Sequence, residues 1–567
     1  MFKKCKYLFI CGAIASGIGK GTINSSIGML LKEYGYKVSF LKIDPYLNID
    51  AGTMNPYEHG EVFVTGDGGE VDLDIGNYER FLDIELSFYH SLTSGKLYQK
   101  ILQKEREGHY LGKTVQVIPH VVDEIKNWIK NLTTVPLKSD TNERPDILLI
   151  EVGGTVGDLE STCYYEAVRQ MINEEGKENV GLIMLTYILT LNNEQKTKPA
   201  QNGIKDLRYT GLLADFIICR SENELQNPQR DKLAMFGNIS KDSIFSVPNS
   251  QHIYDVPEVL QKQKLAERIL EKFKLPIQQV PNIQQYTQFG QYLNDLQTSK
   301  PVTIGIMGKY MKNLDAYMSL IKALKEASYA IKVNLQLKYI DLIDFSSKQN
   351  AEEELEKECK QFDAILVPGG FGYNGFNLKI KCCQYARENK IPFLGICYGF
   401  QAAVVEYARN VLGVKDATTE ELKDELIGSN FVVFMPEINP KLFGGNMRLG
   451  NHQTIIENKD SIAYQIYDSE VVEERHRHRY EVNPQKIQNL TENGLVFSGK
   501  DRKTGQRMEI LELPNHLHPF FVGVQYHPEF TSKNFKPNPL FVSFVSAAAN
   551  GEFRKSKIDV NYNNKKN

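Results

Sequence analysis

Cys397 stands between two glycines in Gly395-Ile396-Cys397-Tyr398-Gly399-Phe400-Gln401, and Gln525-Tyr526-His527-Pro528-Glu529 lies far downstream. The apolar residues Ile391, Phe393, Leu394 and Ile396 read as a buried strand, and a helix is predicted from about Gln401. A strand that turns at once into a helix leaves no room for side chains beside the turn, so small flanking residues mark a sharp elbow. Such an elbow exposes the sulfur at the carboxyl edge of a sheet, where the dipole of the following helix favours thiolate. His527 offers a base and Glu529 a carboxylate to orient it, completing a Cys-His-Glu set for nucleophilic catalysis.

A second constellation opens the chain. Tyr7-Leu8-Phe9-Ile10-Cys11 reads as a strand, followed by Gly12-Ala13-Ile14-Ala15-Ser16-Gly17-Ile18-Gly19-Lys20-Gly21-Thr22 and a helix with apolar positions 23, 27, 30, 31 and 34. Strand, glycine loop, lysine and helix amino terminus together cradle phosphate. Gly21 stands where such a loop normally carries Ser or Thr. Two further apolar strands, 38–43 and 146–150, end in Asp44 and Glu151. Carboxylates at the carboxyl ends of parallel strands beside a phosphate loop suit a metal–nucleotide complex.

The elements that must position these residues alternate between strand and helix, which predicts doubly wound α/β domains with mostly parallel sheets. A chain of 567 residues exceeds one core, and two to four domains are expected. Helical apolar spacing over 256–275 is followed by a polar, Gln-rich stretch with Pro276 and Pro281 and a short helix up to Leu296. A new β-α pattern starts at Val302-Thr303-Ile304-Gly305-Ile306-Met307-Gly308. The division is therefore 1–275, a linker at 276–300, 301–551, and a disordered tail at 552–567. The net charge of −3, without a basic stripe, argues against nucleic acid. No apolar stretch approaches a membrane helix, and the Tyr7–Ile10 run is too short for a signal peptide. The eight cysteines contain no Cys-x-x-Cys pair, which suits a reducing, cytoplasmic setting.

Longer blocks resemble the CTP synthase family. They include Lys42-Ile43-Asp44-Pro45-Tyr46, Gly52-Thr53-Met54-Asn55-Pro56-Tyr57-Glu58-His59-Gly60-Glu61-Val62, Asp72-Leu73-Asp74-Ile75-Gly76 and Glu151-Val152-Gly153-Gly154-Thr155-Val156-Gly157-Asp158-Leu159-Glu160-Ser161. Lys196-Thr197-Lys198-Pro199 and Glu474-Arg475-His476-Arg477-His478-Arg479-Tyr480-Glu481 continue the likeness, which covers about 6–550. The C-terminal motifs alone are similar to triad glutamine amidotransferases, in which the loop Val367-Pro368-Gly369-Gly370-Phe371-Gly372 donates to the oxyanion. Another ATP-dependent amidotransferase, acting on a cobyrinate-type carboxylate, shares the two-domain plan but not the nucleotide-specific blocks.

The resemblance implies an N-terminal P-loop-like synthetase domain and a C-terminal class I amidotransferase domain. It implies ATP-dependent amination of UTP through a 4-phosphorylated intermediate, with ammonia released from glutamine. Cys397, His527 and Glu529 are then catalytic, and Gly370, Tyr398, Gly399, Phe400, Gln401, Arg479 and either Glu420 or Glu421 hold glutamine. ATP falls to Gly17, Ile18, Gly19, Lys20, Gly21, Thr22, Lys42, Asp74, Arg220, Pro248, Asn249 and Ser250, and Mg²⁺ to Asp74 and Glu151. UTP, and CTP as feedback inhibitor, fall to Ser16, Asp158, Leu159, Glu160, Lys196, Thr197, Lys198, Pro199, Ala200, Gln201 and Lys232. His59 and Val62 match an ammonia gate. GTP activation and nucleotide-dependent assembly of dimers into tetramers, with filaments as a further form, are also implied. Ala200, Asn202 and Gly203 depart from the family's Thr, His and Ser, and the segment 374–378 departs from its lid.

Overall fold

The structure is a computed structural model that describes residues 4–137, 142–250, 252–289, 300–422, 425, 427–441 and 444–553. It divides into two compact units, Met1–Ala51 with Asp74–Tyr292, and Gly52–Leu73 with Leu293–Asn567. Residues 52–73, expected in the first domain, thus pack with the second. Residues 276–289 of the expected linker pack with the first unit, where the Tyr286 hydroxyl donates to the Phe81 carbonyl at 3.1 Å. The proposed tail lies, from residue 554, outside the described residues, as does the stretch 290–299 in which the short helix was to end.

In the first unit an eight-stranded sheet runs in the order Ile244–Pro248, Phe216–Ser221, Val180–Leu191, Lys6–Gly12, Ile147–Val152, Val38–Asp44, Ser91–Thr93. Every pairing along that path is parallel, and only Glu194–Lys196 joins antiparallel, on the end of Val180–Leu191. Strand order reverses at Lys6–Gly12, the position at which doubly wound sheets open a crevice beyond their carboxyl ends. The strand is buried throughout except at its first residue, which explains why its sequence is continuously apolar. The helical spacing over 256–275 becomes two helices, Val256–Lys262 and Leu265–Lys272, because Lys264 takes a left-handed conformation at φ 61°.

The second unit is built on a nine-stranded sheet: Leu335–Asp341, Val302–Gly308, Ala364–Val367, Phe393–Ile396, Phe521–Val524, Met508–Glu512, Val496–Asp501, Arg448–Ile456, Val471–His478. It is parallel only as far as Phe521–Val524 and antiparallel beyond, so it is mixed where a mostly parallel sheet was expected. The turn carrying Gly505 at φ 66° closes the antiparallel pair Val496–Asp501 and Met508–Glu512, while the short helix Ile462–Tyr467 lies between Arg448–Ile456 and Val471–His478. Side chains alternate between the two faces. Ile365, Val367 and Phe393 pack on helices Phe376–Glu388 and Tyr398–Asn410, while Ala364, Leu366 and Leu394 pack on Met318–Ala330 and Pro539–Asn550.

Candidate active sites

The predicted elbow is present in the second unit. Strand Phe393–Ile396 ends at Cys397, and helix Tyr398–Asn410 begins at the next residue. Cys397 has φ 51° and ψ −99°, a strained backbone for a residue with a side chain. A Cβ at Gly399 would overlap the Val367 carbonyl, and one at Gly395 would lie 2.8 Å from the Gly399 carbonyl, so only glycine fits on either side. Tyr398, as the first helical residue, has a backbone N–H with no intrahelical acceptor, which suits it to an oxyanion.

Around the sulfur, the Arg477 carbonyl and the Gln525 amide each lie at 3.7 Å. His527 Nδ1 is 2.7 Å from Glu529 Oε1, and the imidazole stacks on Phe530. Burial pushes the imidazole down, but the Glu529 carboxylate and then Cys397 outweigh it and hold the ring up at about 10. The site therefore favours the imidazolium form of His527.

A cavity of about 660 Å³ opens here, lined by Cys397, Gly370, Phe371, Gln401, Glu421, Arg479 and Tyr480, and by Gly52, Thr53, Met54, Pro56 and Val62. Glu420 and Glu421 point to different partners. Glu420 accepts from the Phe434 N–H at 2.9 Å, whereas Glu421 lines the cavity and accepts from the Gly372 N–H at 2.8 Å. Burial raises the Glu421 carboxyl. Gln401 donates to the Tyr480 carbonyl and to Gln525 Oε1, both at 3.3 Å. Val62 of the expected gate lines the cavity, and His59 closes the short helix Pro56–His59 of the same segment.

Sequence reasoning missed Lys379. Its ammonium is fully buried, donates to the Pro368 carbonyl at 3.3 Å beneath the glycine loop, and faces the Tyr398 ring. Burial lowers it to about 8. A lysine on the apolar face of a helix was the available signal. His476 and His478 are buried on the far side of their strand with Glu509, all pushed toward neutrality by burial. Their spacing, His476 Nδ1 being 3.0 Å from His478 Nε2 and 3.8 Å from Glu509, resembles a ligand set. The Arg448 guanidinium, however, lies 3.1 Å from Glu509 and 2.6 Å from Asp501, so that carboxylate already faces a cation.

In the first unit, Gly17 (φ 71°) and Gly19 (φ 92°) turn the chain into helix Lys20–Glu33, as the phosphate loop requires. Lys20 Nζ donates to the Gly154 carbonyl at 2.9 Å. A Cβ at Gly21 would run into the Asp74 carboxylate, which accounts for glycine in place of Ser or Thr. Lys42 bonds Asp74 Oδ2, lies 2.9 Å from Glu151 Oε1 and 3.8 Å from Asp44, and Tyr78 donates to Glu151 Oε2 at 2.5 Å. Burial would raise Asp74, but Lys42 reverses the effect and lowers it; Asp44, where burial prevails, rises to about 6.

Arg220 donates to the Ile18 carbonyl at 3.2 Å and to Asn249 Oδ1 at 2.7 Å. A small cleft of about 100 Å³ lies between Gly19, Thr22, Arg220, Pro248, Ser250 and Val256. This brings the expected adenosine residues to the phosphate loop. The loop after Ile147–Val152 brings Asp158, which accepts from the Thr155 N–H at 2.6 Å, beside Gly154. Ser16, Leu159, Lys198 and Lys232 stand exposed; Lys196 pairs with Glu194 at 2.5 Å, and Gln201 donates to Thr197 at 2.9 Å.

The second unit thus carries the architecture of a glutamine amidotransferase, and residues 313–547 match the family model for class I glutamine amidotransferases. Residues 6–275 match the model for the CTP synthase N-terminus. The chain is 46% identical to CTP synthase of Pyrococcus abyssi, covering 97% of this chain and 99% of the relative. It is 45% identical to Homo sapiens CTP synthase 1, covering 96% of this chain and 92% of the relative. Among solved structures it is similar to the Trypanosoma brucei CTPS glutaminase domain with bound acivicin (38% identity, 45% of this chain, 96% of that chain, TM-score 0.41). The chain belongs to the CTP synthase family. It is a ligase that converts UTP to CTP with ATP and glutamine as co-substrates. No described helix is long and apolar enough to cross a membrane.

Proposed function

We propose that the two halves of this reaction divide between the two sites. The Cys397 thiolate attacks the glutamine carboxamide, with Gln401, Glu421 and Arg479 gripping the α-amino and α-carboxylate ends. The N–H groups of Tyr398 and Gly370 stabilise the oxyanion, and His527, oriented by Glu529, returns a proton to the departing ammonia. Water then releases glutamate. The observation that carries this reading is the Cys397 elbow, whose strained backbone, glycine flanks and paired His527–Glu529 have no use in a merely structural domain.

At the first unit, Lys20 and the loop N–H groups hold the phosphates of ATP as its γ-phosphoryl passes to the uracil O4. The phosphate ester makes O4 a leaving group, which ammonia displaces. Asp74 and Glu151, with Asp44 beside them, suit Mg²⁺. They offer hard carboxylate oxygens, buried Asp44 Oδ2 has no hydrogen-bond partner among the described residues, and a cation, Lys42, already sits among them. Bound there, Mg²⁺ would neutralise phosphate charge. UTP, and CTP as feedback inhibitor, take Ser16, Asp158–Glu160, 196–201 and Lys232. His59 and Val62 gate the ammonia. GTP acts as an activator on the lid around 371–378, and the chain works in the cytoplasm as dimers that form tetramers with nucleotides. The test is absorbance-monitored conversion of UTP with glutamine or ammonia, omitting ATP or GTP in turn, alongside sedimentation with and without ATP, UTP and Mg²⁺. A chain that makes CTP without ATP, or that stays monomeric while turning over, would overturn the corresponding part.

A further inference from the structure

Strand Val471–His478 touches the glutaminase machinery through its backbone. The Arg477 carbonyl lies 3.7 Å from Cys397 Sγ, and the Arg475 carbonyl accepts from the His527 N–H at 2.8 Å. The same two arginines reach the segment 52–73 with their side chains. Arg475 Nη1 donates to the Val64 carbonyl at 2.9 Å, and Arg477 donates to the Gly52 carbonyl at 3.1 Å and to Glu70 Oε1 at 2.8 Å. The side chain of Glu70 is almost wholly buried, and its second oxygen accepts from the Gly445 N–H at 3.1 Å.

A buried carboxylate satisfied by one guanidinium and one backbone N–H is a fixed strut rather than a solvated pair. It stands at the end of a segment with two distinct duties. Gly52, Thr53, Met54 and Val62 line the cavity that holds Cys397, and four residues beyond Glu70 the chain re-enters the first unit at Asp74, beside the phosphate loop. Any displacement of Arg477 at the cavity therefore reaches Glu70 directly. Gly52 adds a steric lock, since a Cβ there would occupy the position of the Glu70 carboxylate.

We propose that Glu70, through its pair with Arg477, is a positioning residue that couples the glutaminase site to the segment 52–73, so that ammonia is released only when it can be used. The proposal rests on the functional reading above, in which this segment carries the gate residues His59 and Val62. Glu70 touches no reacting atom; it holds Arg477 and the segment in one register.

The experiment compares the full chain with Glu70→Gln at saturating ATP, UTP and glutamine, counting CTP formed per glutamate released. Glutamine hydrolysis and ammonia-driven CTP synthesis are each measured separately. In the variant, CTP per glutamate is expected to fall at least about twofold while both partial reactions stay within about threefold of the parent. An unchanged ratio overturns the proposal, as does an equal loss of ammonia-driven and glutamine-driven synthesis, which would mark a lesion in the synthetase chemistry. Should Glu70→Gln lose its cooperative thermal transition, Gly52→Ala displaces the same carboxylate without removing its charge, and undiminished CTP per glutamate in that variant overturns the strut. Failure of the functional reading shows in the parent chain, as absent ammonia-driven CTP, and failure of the coupling only in the variants.

Discussion

The cysteine site and the carboxylate site solve opposite electrostatic problems. At Cys397 a single cation, the His527 imidazolium, stands between the sulfur and the Glu529 carboxylate, and the backbone around it is locked by glycines that admit no Cβ. At Lys42 a single cation is shared among three carboxylates that are brought together from different elements. A covalent nucleophile needs a fixed angle of attack, so strain in the elbow is tolerated. A phosphoryl-transfer site needs negative charge that can exchange one counter-cation for another, and carboxylates gathered around one lysine supply it.

The sharpest way to break this comparison is to remove the nucleophile. Cys397→Ala is expected to lower glutamine-dependent CTP formation by at least about 10⁴-fold while ammonia-dependent formation persists. Loss of both in a folded variant would mean the two sites are not separable. Lys20→Ala is expected to lower synthesis from either nitrogen source by about 10³-fold, with glutamine hydrolysis retained. Near-normal ammonia-driven turnover would remove Lys20 from the phosphate chemistry.

Lys42→Met sharpens the carboxylate side. Stripping the shared cation leaves buried carboxylates unpaired, at a cost of about 3–5 kcal/mol to the first unit. Without Lys42 the Asp44 carboxyl, already raised to about 6 by burial, rises further and Asp74 loses the cation that lowers it, so the folded form binds more protons than the unfolded one and stability rises as pH falls. Thermal unfolding at pH 5.5 and 7.5 tests the sign; greater stability at the higher pH contradicts it. The smallest effect concerns His527. Its folded value, about 10, lies above the ordinary imidazole value of 6.5, so its stabilisation is complete below pH 6.5 and is lost as pH rises through 10. Glu529→Gln should flatten that alkaline loss by roughly 2–4 °C in Tm between pH 7 and 9.5, and an unchanged slope would exclude Glu529 as its source.

Legibility followed locality. The elbow and the phosphate loop are contiguous in the chain, and their residue types report the backbone they must adopt, so both were readable directly. Glu529 was readable too, two residues from His527. By contrast, no local pattern distinguishes Glu420 from Glu421, because a 3-10 turn sends adjacent side chains in different directions. Lys379 offered only its place on an apolar helix face, because its partner, the Pro368 carbonyl, gives no side-chain signal. The excursion of residues 52–73 into the second unit was missed because alternation of strands and helices says nothing about which sheet an insertion joins. Gly21 read as an imperfect motif until Asp74, far along the chain, was seen to need its space.

Gly399 carries no reactive atom, yet the Val367 carbonyl stands where any β-carbon would go. In a saturation survey of this chain, selection under glutamine would rank substitutions at Gly399 with those at Cys397. Supplying ammonia should rescue both classes alike, provided the damage stays within the elbow. Such a survey would therefore mark position 399 as indispensable for a nitrogen source rather than for folding, and would draw the genetic outline of the glutaminase around a residue with no side chain to react.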